Sequence, residues 1–274
     1  MSDSAPALDV GGRTRGLLGA AHLGPSVVVT VLAGLLALPA GLGPGTTALV
    51  VAAVFTGQLS VGWSNDLLDA ARDTSVGRRD KPLARGDLAV ATVRRACAAA
   101  LVATVVLSLA CGLVAGLTHL VLVASAWTYN LGLKSTWWSW VPYAVSFGGL
   151  PVFVFLAGDP AELPPAWLPV AAALLGVGAH LVNVLPDLAD DEATGVRGLP
   201  HRLGAQWTRR AAVLFLVAAS LVVAAGAGVA WSVLGPTLAL VAVLAGVALI
   251  GSGSWPFRAA IGIALVDVVL LVWA

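Results

Sequence analysis

The sequence predicts an all-α polytopic membrane protein with nine transmembrane helices. Three observations predict this class: the composition, the repeated apolar stretches, and the positions of the basic residues. Of the 274 residues, 59% are hydrophobic and only 11% are charged, whereas soluble proteins carry about 25% charged residues because water must wet their surface. The formal net charge is +1, so no strong positive field indicates a nucleic-acid partner. The composition therefore excludes a soluble enzyme and a disordered chain.

Nine apolar stretches follow a polar N-terminal segment over 1–20. Each is close to the ~20 residues that a helix needs to cross a bilayer. Most are rich in Ala, Leu, Val and Gly, which allow helices to pack closely in lipid. Together they predict a single transmembrane domain over 21–274. The predicted helices cover 21–41, 46–65, 94–112, 116–131, 140–157, 166–185, 211–230, 233–250 and 257–274.

Local signals support this division of the chain. The first apolar stretch predicts a retained helix, because no cleavage site of the A-x-A type ends it. Helices three and four are nearly continuous, and Gly112 and Gly116 predict the turn between them. Helices seven and eight are predicted to meet near 235–236. Cys97 and Cys111 both lie in apolar stretches, so we expect small core residues there, not a disulfide or a metal pair.

The basic residues predict the orientation. All fifteen lie before helix one or after an even-numbered predicted helix, whereas the other connections carry only Asp159 and Glu162. A wrong helix count would have placed basic residues on both sides of the membrane. Because lysine and arginine are enriched in cytoplasmic connections, we expect the N-terminus and the even-numbered connections in the cytoplasm and the C-terminus outside.

Two connections are long, at about 66–93 and 186–210, and they hold most of the charge. They lie four helices apart. That spacing is expected if helices one to four and helices five to eight form two parallel pseudo-repeats, as in many membrane proteins with internal duplication.

Acidic residues concentrate where these two connections begin. Asn65, Asp69 and Asp73 are spaced i, i+4 and i+8, and Asp187 and Asp191 are spaced i and i+4. Each set therefore falls on one stripe of a helix. Both stripes are predicted at the cytoplasmic face, so they can converge on one site.

The acidic stripes predict a metal site beside an anion site. Crowded carboxylates repel one another, and a divalent cation removes that repulsion. Carboxylate and amide oxygens are hard ligands that suit Mg²⁺. Basic residues follow each stripe, among them Arg78, Lys81 and Arg197, which suits a diphosphate. The alternative, two solvated loops, predicts scattered acids and not two matched stripes.

Five segments resemble the UbiA superfamily of intramembrane prenyltransferases. Its two acidic motifs are similar to NDLLDAARD at 65–73 and DLADD at 187–191, and its loop segments to RRDKPLARG at 78–86 and to Gly195 with GLP at 198–200 and LG at 203–204. YNLGLK at 129–134 is similar to a Tyr…Leu-Lys segment of the family. The resemblance covers nearly the whole chain. It implies a ring of nine helices around a lipid-accessible cavity, capped on the cytoplasmic side by the two acidic loops.

The resemblance also implies a reaction and its residues. Two Mg²⁺ ions would hold the head of an isoprenyl diphosphate, and an acceptor would attack the allylic carbon as diphosphate leaves. Asp66 is a catalytic candidate, as a base or a supporting group. Tyr129 either stabilises an allylic cation with its ring or belongs to an interfacial aromatic belt. The implied metal ligands are Asn65, Asp69, Asp73, Asp187 and Asp191, and the implied diphosphate-binding residues are Arg78, Lys81, Lys134 and Arg197.

Several questions stay open at the level of sequence. The acceptor is not readable, and a terpene cyclase on the same scaffold is the alternative to transfer, with an ion-coupled transporter as a more distant one. No obligate protein partner is evident; membrane lipid is the expected surrounding. Asp190 lies off the second stripe, His180 lies two turns before it, and Asp267 lies within helix nine, so their contributions are undecided.

Overall fold

The computed structural model of the chain describes residues 16–273 apart from 76, 78–80 and 194, and within this part every regular element is a helix. Nine of the described helices have fourteen or more residues. They are α1 (Leu23–Leu36), α2 (Pro44–Ser75), α3 (Val90–Ala110), α4 (Leu113–Asn130), α5 (Val141–Leu156), α6 (Trp167–Val184), α7 (Ala205–Gly226), α8 (Trp231–Ile250) and α9 (Trp255–Trp273).

The long helices have the length and surface of membrane spans. Six of them, α2, α3, α4, α6, α7 and α8, are long and apolar enough to cross a bilayer, and α1 and α5 are shorter apolar helices. Their outward faces carry large apolar side chains, such as Val102 and Val106 on α3 and Leu214 on α7, each more than 60% exposed. An exposed apolar surface of this extent is stable in contact with lipid, not with water.

Each long helix packs against the next one in the chain, and α9 packs back against α1 as well as α6 and α7. One apolar core joins α1, α2, α4 and α5 around residues such as Phe153. A second joins α6 to α9 around residues such as Leu216 and Ile263. The nine-membered membrane ring and the two pseudo-repeats stay predictions.

The main difference from the predicted boundaries concerns α2. This helix continues to Ser75, about three turns beyond the predicted end at 65. Hydropathy falls at the first acidic residue, but Leu67 and Ala70 still pack against a buried apolar cluster, and the first strongly helix-ending residue is Gly77 with φ +70°. The first acidic motif therefore lies on a rigid helix and not in a loop.

The second long connection is also mostly helical. A 3₁₀ turn over Leu185–Asp187 leads directly into a short helix over Leu188–Ala193, and another short helix covers Leu199–Leu203 before α7 begins at Ala205. Gly112, with φ +105°, forms the predicted turn between α3 and α4. The turn between α7 and α8 lies at Gly228, with φ +66°, and not near 235–236.

Candidate active site

A cavity of about 360 Å³ opens between α1, α2, α4, α5, α6 and α9. One part of its wall is apolar, with Leu32, Phe147 and Leu175 among its lining residues. The other part is polar and is formed by the end of α2, the segment after α4, and the segment after α6. The cavity therefore offers an apolar tube that ends at charged groups.

The first acidic motif lies at the polar end because α2 presents one stripe to the cavity. Asn65, Asp69 and Asp73 lie on successive turns of α2 and all three line the cavity. Asp69 and Asp73 are nevertheless only 7% and 3% exposed. Their carboxylates are thus held at the cavity wall with little access to bulk water.

Asp69 is neutralised by two cations of the chain. The Lys134 Nζ lies 2.6 and 2.7 Å from its two carboxylate oxygens, and the Arg72 guanidinium donates to it at 2.9 Å. The Asn65 amide donates a third hydrogen bond at 3.1 Å. Arg72 also lies 3.6 Å from Asp73, so it bridges the two carboxylates of the motif.

Asp66 lies behind this stripe. Its side chain is 1% exposed and is not among the cavity-lining residues. One carboxylate oxygen accepts a hydrogen bond from Lys81 Nζ at 2.5 Å and lies 3.2 Å from the His22 Nε2. Lys81 Nζ in turn lies 2.8 Å from that same nitrogen. Lys81 and His22 both line the cavity, so Asp66 holds Lys81 in place from the rear.

The second acidic motif reaches the same cavity from α6. Asp187 and Asp191 both line it, whereas Asp190 is exposed and does not. Burial raises the pKa of the Asp191 carboxyl, and the charge of Asp187 raises it further, against the opposing effect of Arg72 and other cations. Arg72 lies close to both acidic motifs, because it also contacts Asp69 of the first motif.

An aromatic group lies beside the polar end. Tyr129 lines the cavity, and its ring meets Tyr143 edge-on at 5.3 Å and His180 edge-on at 5.7 Å between centroids. Tyr143 also hydrogen-bonds the side chain of Asn183. The Tyr129 ring therefore lies in the cavity wall.

The remaining predicted residues are placed differently. Arg197 is exposed and is not a lining residue, and Arg78 lies outside the described residues. Asp267 is buried on α9, where it contacts Ser220 and borders a second, small apolar cavity. That second cavity shares Leu32, Phe147 and Leu175 with the first, so Asp267 lies beyond the apolar end and far from the acidic motifs.

Three site residues were not predicted from the sequence. Arg72 lies within the first acidic motif but off the i, i+4, i+8 spacing of its metal-ligand candidates, and it lines the cavity. His201 also lines the cavity and lies 3.5 Å from Asp191. Asn130 donates to Ser64 and accepts from Asn65, which fixes the amide of the first motif. Arg72 and Asn130 both belong to segments quoted for the family resemblance, and His201 lies between the quoted residues at 198–200 and 203–204, but the resemblance assigned a role to none of the three.

The donor set at the polar end suits a hard divalent cation. Five oxygen-bearing side chains of the two motifs line one cavity, and carboxylate and amide oxygens are the ligands such ions prefer. Among the described residues no group of three or more His, Cys, Asp or Glu side chains is placed to hold an ion in this arrangement, and Lys134 and Arg72 are paired with Asp69. Binding an ion thus requires those two cations to move aside, which long flexible side chains permit.

Fold and site together define a membrane-embedded helical protein with an apolar cavity that ends at paired acidic and basic groups. That class includes enzymes that act on lipid-like anions. The model of the UbiA prenyltransferase family matches residues 27–261, and the chain belongs to this family of intramembrane prenyltransferases.

Solved structures share the fold. A UbiA homologue from Aeropyrum pernix K1, in its apo form, superposes with a TM-score of 0.77 at 17% identity, covering 92% of this chain and 98% of that one. A homologue from Archaeoglobus fulgidus bound to GPP and Mg²⁺ gives 0.69 at 15% identity, covering 93% and 99%. A digeranylgeranylglyceryl phosphate synthase gives 0.64 at 16% identity, covering 95% and 96%. No curated protein matches the chain.

Proposed function

We propose that this protein ionises an isoprenyl diphosphate and transfers the prenyl group to an acceptor, with release of diphosphate. One observation carries the proposal. Both acidic motifs and three cationic side chains meet at the polar end of a cavity whose opposite wall is apolar. An isoprenyl diphosphate likewise has an apolar part, the hydrocarbon tail, and a negatively charged part, the diphosphate head. It therefore fits the cavity in one direction only.

The metal is proposed to be Mg²⁺, with two ions. Support comes from the Archaeoglobus fulgidus homologue, whose structures hold Mg²⁺ with GPP or with DMAPP, together with the oxygen donors of this chain. The proposed ligands are Asn65, Asp69, Asp73, Asp187 and Asp191. When bound, Mg²⁺ neutralises the charge that develops on the leaving diphosphate.

The cations of the chain have a separate role. Lys134 and Arg72 neutralise Asp69 in this structure, and the same side chains can turn to the diphosphate oxygens once Asp69 has another partner. Lys81 is held by Asp66 and His22 at the cavity wall and keeps a further N–H for the diphosphate. Preplaced donors of this kind stabilise charge as the C–O bond lengthens. Arg78 and Arg197 are proposed as additional contacts.

The apolar wall protects the reacting carbon. Leu32, Phe147 and Leu175 would surround the prenyl tail, and water excluded from such a cavity cannot capture the allylic cation. Tyr129 presents its ring within the same wall, beside Tyr143. A π face near a carbocation stabilises it by cation–π attraction. We therefore assign Tyr129 to the cation and Asp66 to the support of Lys81; of the two roles expected for Asp66 we propose only the supporting one, because its carboxylate does not line the cavity.

Transfer is preferred to cyclisation because the first acidic motif is complete, whereas cyclases of the superfamily often lack part of it. A transporter would place ionisable groups near the membrane midplane, but here the acids gather at one end of the cavity.

The proposed arrangement is a ring of nine spans with the N-terminus and both acidic segments in the cytoplasm and the C-terminus outside. Two pseudo-repeats are proposed for the first eight spans.

A product profile tests the reaction. Purified protein in detergent is incubated with Mg²⁺ and isoprenyl diphosphates of four chain lengths, first alone and then with candidate acceptors such as aromatic acids and glycerol phosphates. We expect Mg²⁺-dependent release of diphosphate that rises when the correct acceptor is added. A cyclic hydrocarbon or alcohol formed without any acceptor would instead establish the cyclase. No release of diphosphate under any condition would contradict both.

A further inference from the structure

We propose that His201 is a positioning residue for the second acidic motif: its Nε2–H faces the Asp191 carboxylate, donates a hydrogen bond to it after a small shift of Asp191, and so orients that carboxylate for the metal. The inference rests on the proposed function, because it concerns a metal ligand assigned there. His201 lines the cavity and its side chain is 4% exposed, with Nε2 3.5 Å from the Asp191 carboxylate. The residue thus meets the motif inside the site.

The start of a short helix decides which nitrogen of His201 carries the proton. His201 is the third residue of the helix over Leu199–Leu203, and the backbone N–H of Gly198, the N-cap residue, donates to its Nδ1 at 3.1 Å. A ring nitrogen that accepts a hydrogen bond has no proton. The proton of the neutral imidazole is therefore on Nε2, the atom that faces Asp191.

The same backbone is fixed against the segment that carries Lys134. A Cβ atom on Gly198 would lie 2.4 Å from the Lys134 carbonyl oxygen and 3.0 Å from the Ser139 hydroxyl, so only glycine allows this approach. The next N–H, that of Leu199, donates to the same Ser139 hydroxyl at 3.0 Å. The orientation of His201 is consequently set by rigid contacts and not by an adaptable loop.

These contacts join the two acidic motifs. Lys134 holds Asp69 of the first motif, its backbone supports Gly198, and Gly198 sets the proton of His201, which faces Asp191 of the second motif. One connected set of contacts thus joins the carboxylates of the two motifs. These contacts keep both carboxylates in register for the metal ions that would join them to one diphosphate.

The His201 donor lacks a completed hydrogen bond. Within the described part of the chain, its buried Nε2 has no hydrogen-bond partner, and a buried donor without a partner is unfavourable. At 3.5 Å the Asp191 oxygen is just beyond normal hydrogen-bond distance. A small shift of Asp191 completes the bond. Metal-ligating carboxylates are commonly held by such outer hydrogen bonds, whose loss weakens metal binding.

Two substitutions separate the donor from the rest of the ring. His201→Asn keeps an acceptor for Gly198 but is too short to donate to Asp191, whereas His201→Gln carries an amide N–H to the position of Nε2. Mn²⁺ binding is measured by electron paramagnetic resonance in the presence of a non-hydrolysable isoprenyl diphosphate analogue. We expect H201N to weaken Mn²⁺ binding by about 10- to 100-fold and H201Q to retain most of it, with turnover of H201N recovering at high Mg²⁺.

The control combines the substitution at His201 with a substitution at Asp191. In an Asp191→Ala background, H201N should cause little further loss, because no acceptor for the His201 N–H remains at position 191; additive losses would overturn the proposal. Equal Mn²⁺ affinity in wild type and H201N, or equal loss in H201N and H201Q, would also overturn it. If H201N does not fold, His201→Leu provides the same comparison without a donor. Failure of wild type to bind Mn²⁺ with the analogue would instead contradict the proposed function.

Discussion

Asp69 has several polar contacts although it is a proposed metal ligand. It is 7% exposed and still accepts hydrogen bonds from Lys134, Arg72 and Asn65. Charges attract strongly where water is scarce, so a carboxylate in this position needs a cation at all times. Lys134 and Arg72 supply that positive charge, which explains why the Asp69 carboxylate is stable beside an apolar cavity.

Replacement of a proposed ligand should abolish turnover without unfolding the protein. Asp69→Asn and Asp187→Asn each remove one charge but keep the side-chain shape, and we expect turnover to fall by about 10²-fold or more, as when other groups that stabilise developing charge are lost. The matched control is Asp190→Asn in the same segment, which should stay close to wild type because Asp190 is exposed and outside the cavity. Near-normal turnover of D69N at saturating Mg²⁺ would exclude this site.

Lys81 gives a second prediction at this scale, about stability. Lys81→Met leaves the buried Asp66 carboxylate without its ammonium partner, and breaking a buried pair in this way costs about 3–5 kcal/mol. The melting temperature in detergent should drop clearly. Adding Asp66→Asn to the same variant should restore most of it, because no buried charge remains, but should not restore turnover. Equal melting temperatures for K81M and the double variant would contradict the pairing.

At the scale of elements, α2 is the helix that organises the site. It carries the first acidic stripe, and near its middle Gly62 contacts the backbone of Ala21, next to His22. The close approach brings His22 to Lys81 and Asp66. A small residue on α2 therefore controls how the segment before α1 meets the acidic motif.

Gly62→Ala tests that packing. The added Cβ would lie 2.4 Å from the Ala21 carbonyl oxygen, so the backbone must move, and overpacking of this kind costs about 1–3 kcal/mol. Gly45→Ala on the same helix is the control, since a Cβ there meets nothing within 4 Å and alanine favours a helix. We expect a lower melting temperature for G62A and an equal or higher one for G45A. A stable G62A would show that the contact is adaptable.

The sequence predicted the elements better than their ends. Within the part of the chain that the structure describes, the number of long helices, nine, equals the number of apolar stretches, because a long apolar stretch folds as a helix in lipid. The end of α2 was missed, since helix formation continues through polar residues wherever one face stays packed, as Leu67 and Ala70 do. The turn at Gly228 was missed because a proline a few residues away gave a similar signal.

The site was predictable only in part, for a related reason. Motif spacing indicated which residues share a stripe, and Asn65, Asp69, Asp73, Asp187 and Asp191 do line one cavity. Spacing along the chain says nothing about contacts between distant segments. That His201 faces Asp191 depends on the approach of Gly198 to Lys134, and that Asp66 lies behind Lys81 depends on the position of His22. Such contacts follow from tertiary packing alone.

At the scale of the whole molecule, the placement of all basic residues on one side of the predicted spans predicts how the protein is oriented in the membrane. Ala89, at the start of α3, and Ala161, between α5 and α6, are both exposed and should lie on opposite sides of the membrane. Cysteine at 89 should react with an impermeant maleimide only from the cytoplasmic side, and cysteine at 161 only from outside. The native Cys97 and Cys111 are buried, so the unmodified protein is the control. Labelling of both positions from one side would contradict the nine-span arrangement.

The central claim is that the two acidic motifs hold metal and diphosphate together, and the melting temperature under four conditions tests it most directly. Purified protein is heated alone, with Mg²⁺, with a non-hydrolysable isoprenyl diphosphate analogue in chelator, and with both. Ligands that bind only the folded protein raise its melting temperature by mass action. Because the proposed site would bind the diphosphate through both metal and cations, we predict that the shift with both exceeds the sum of the two single shifts. Purely additive shifts, or a full shift from the analogue in chelator, would contradict the account.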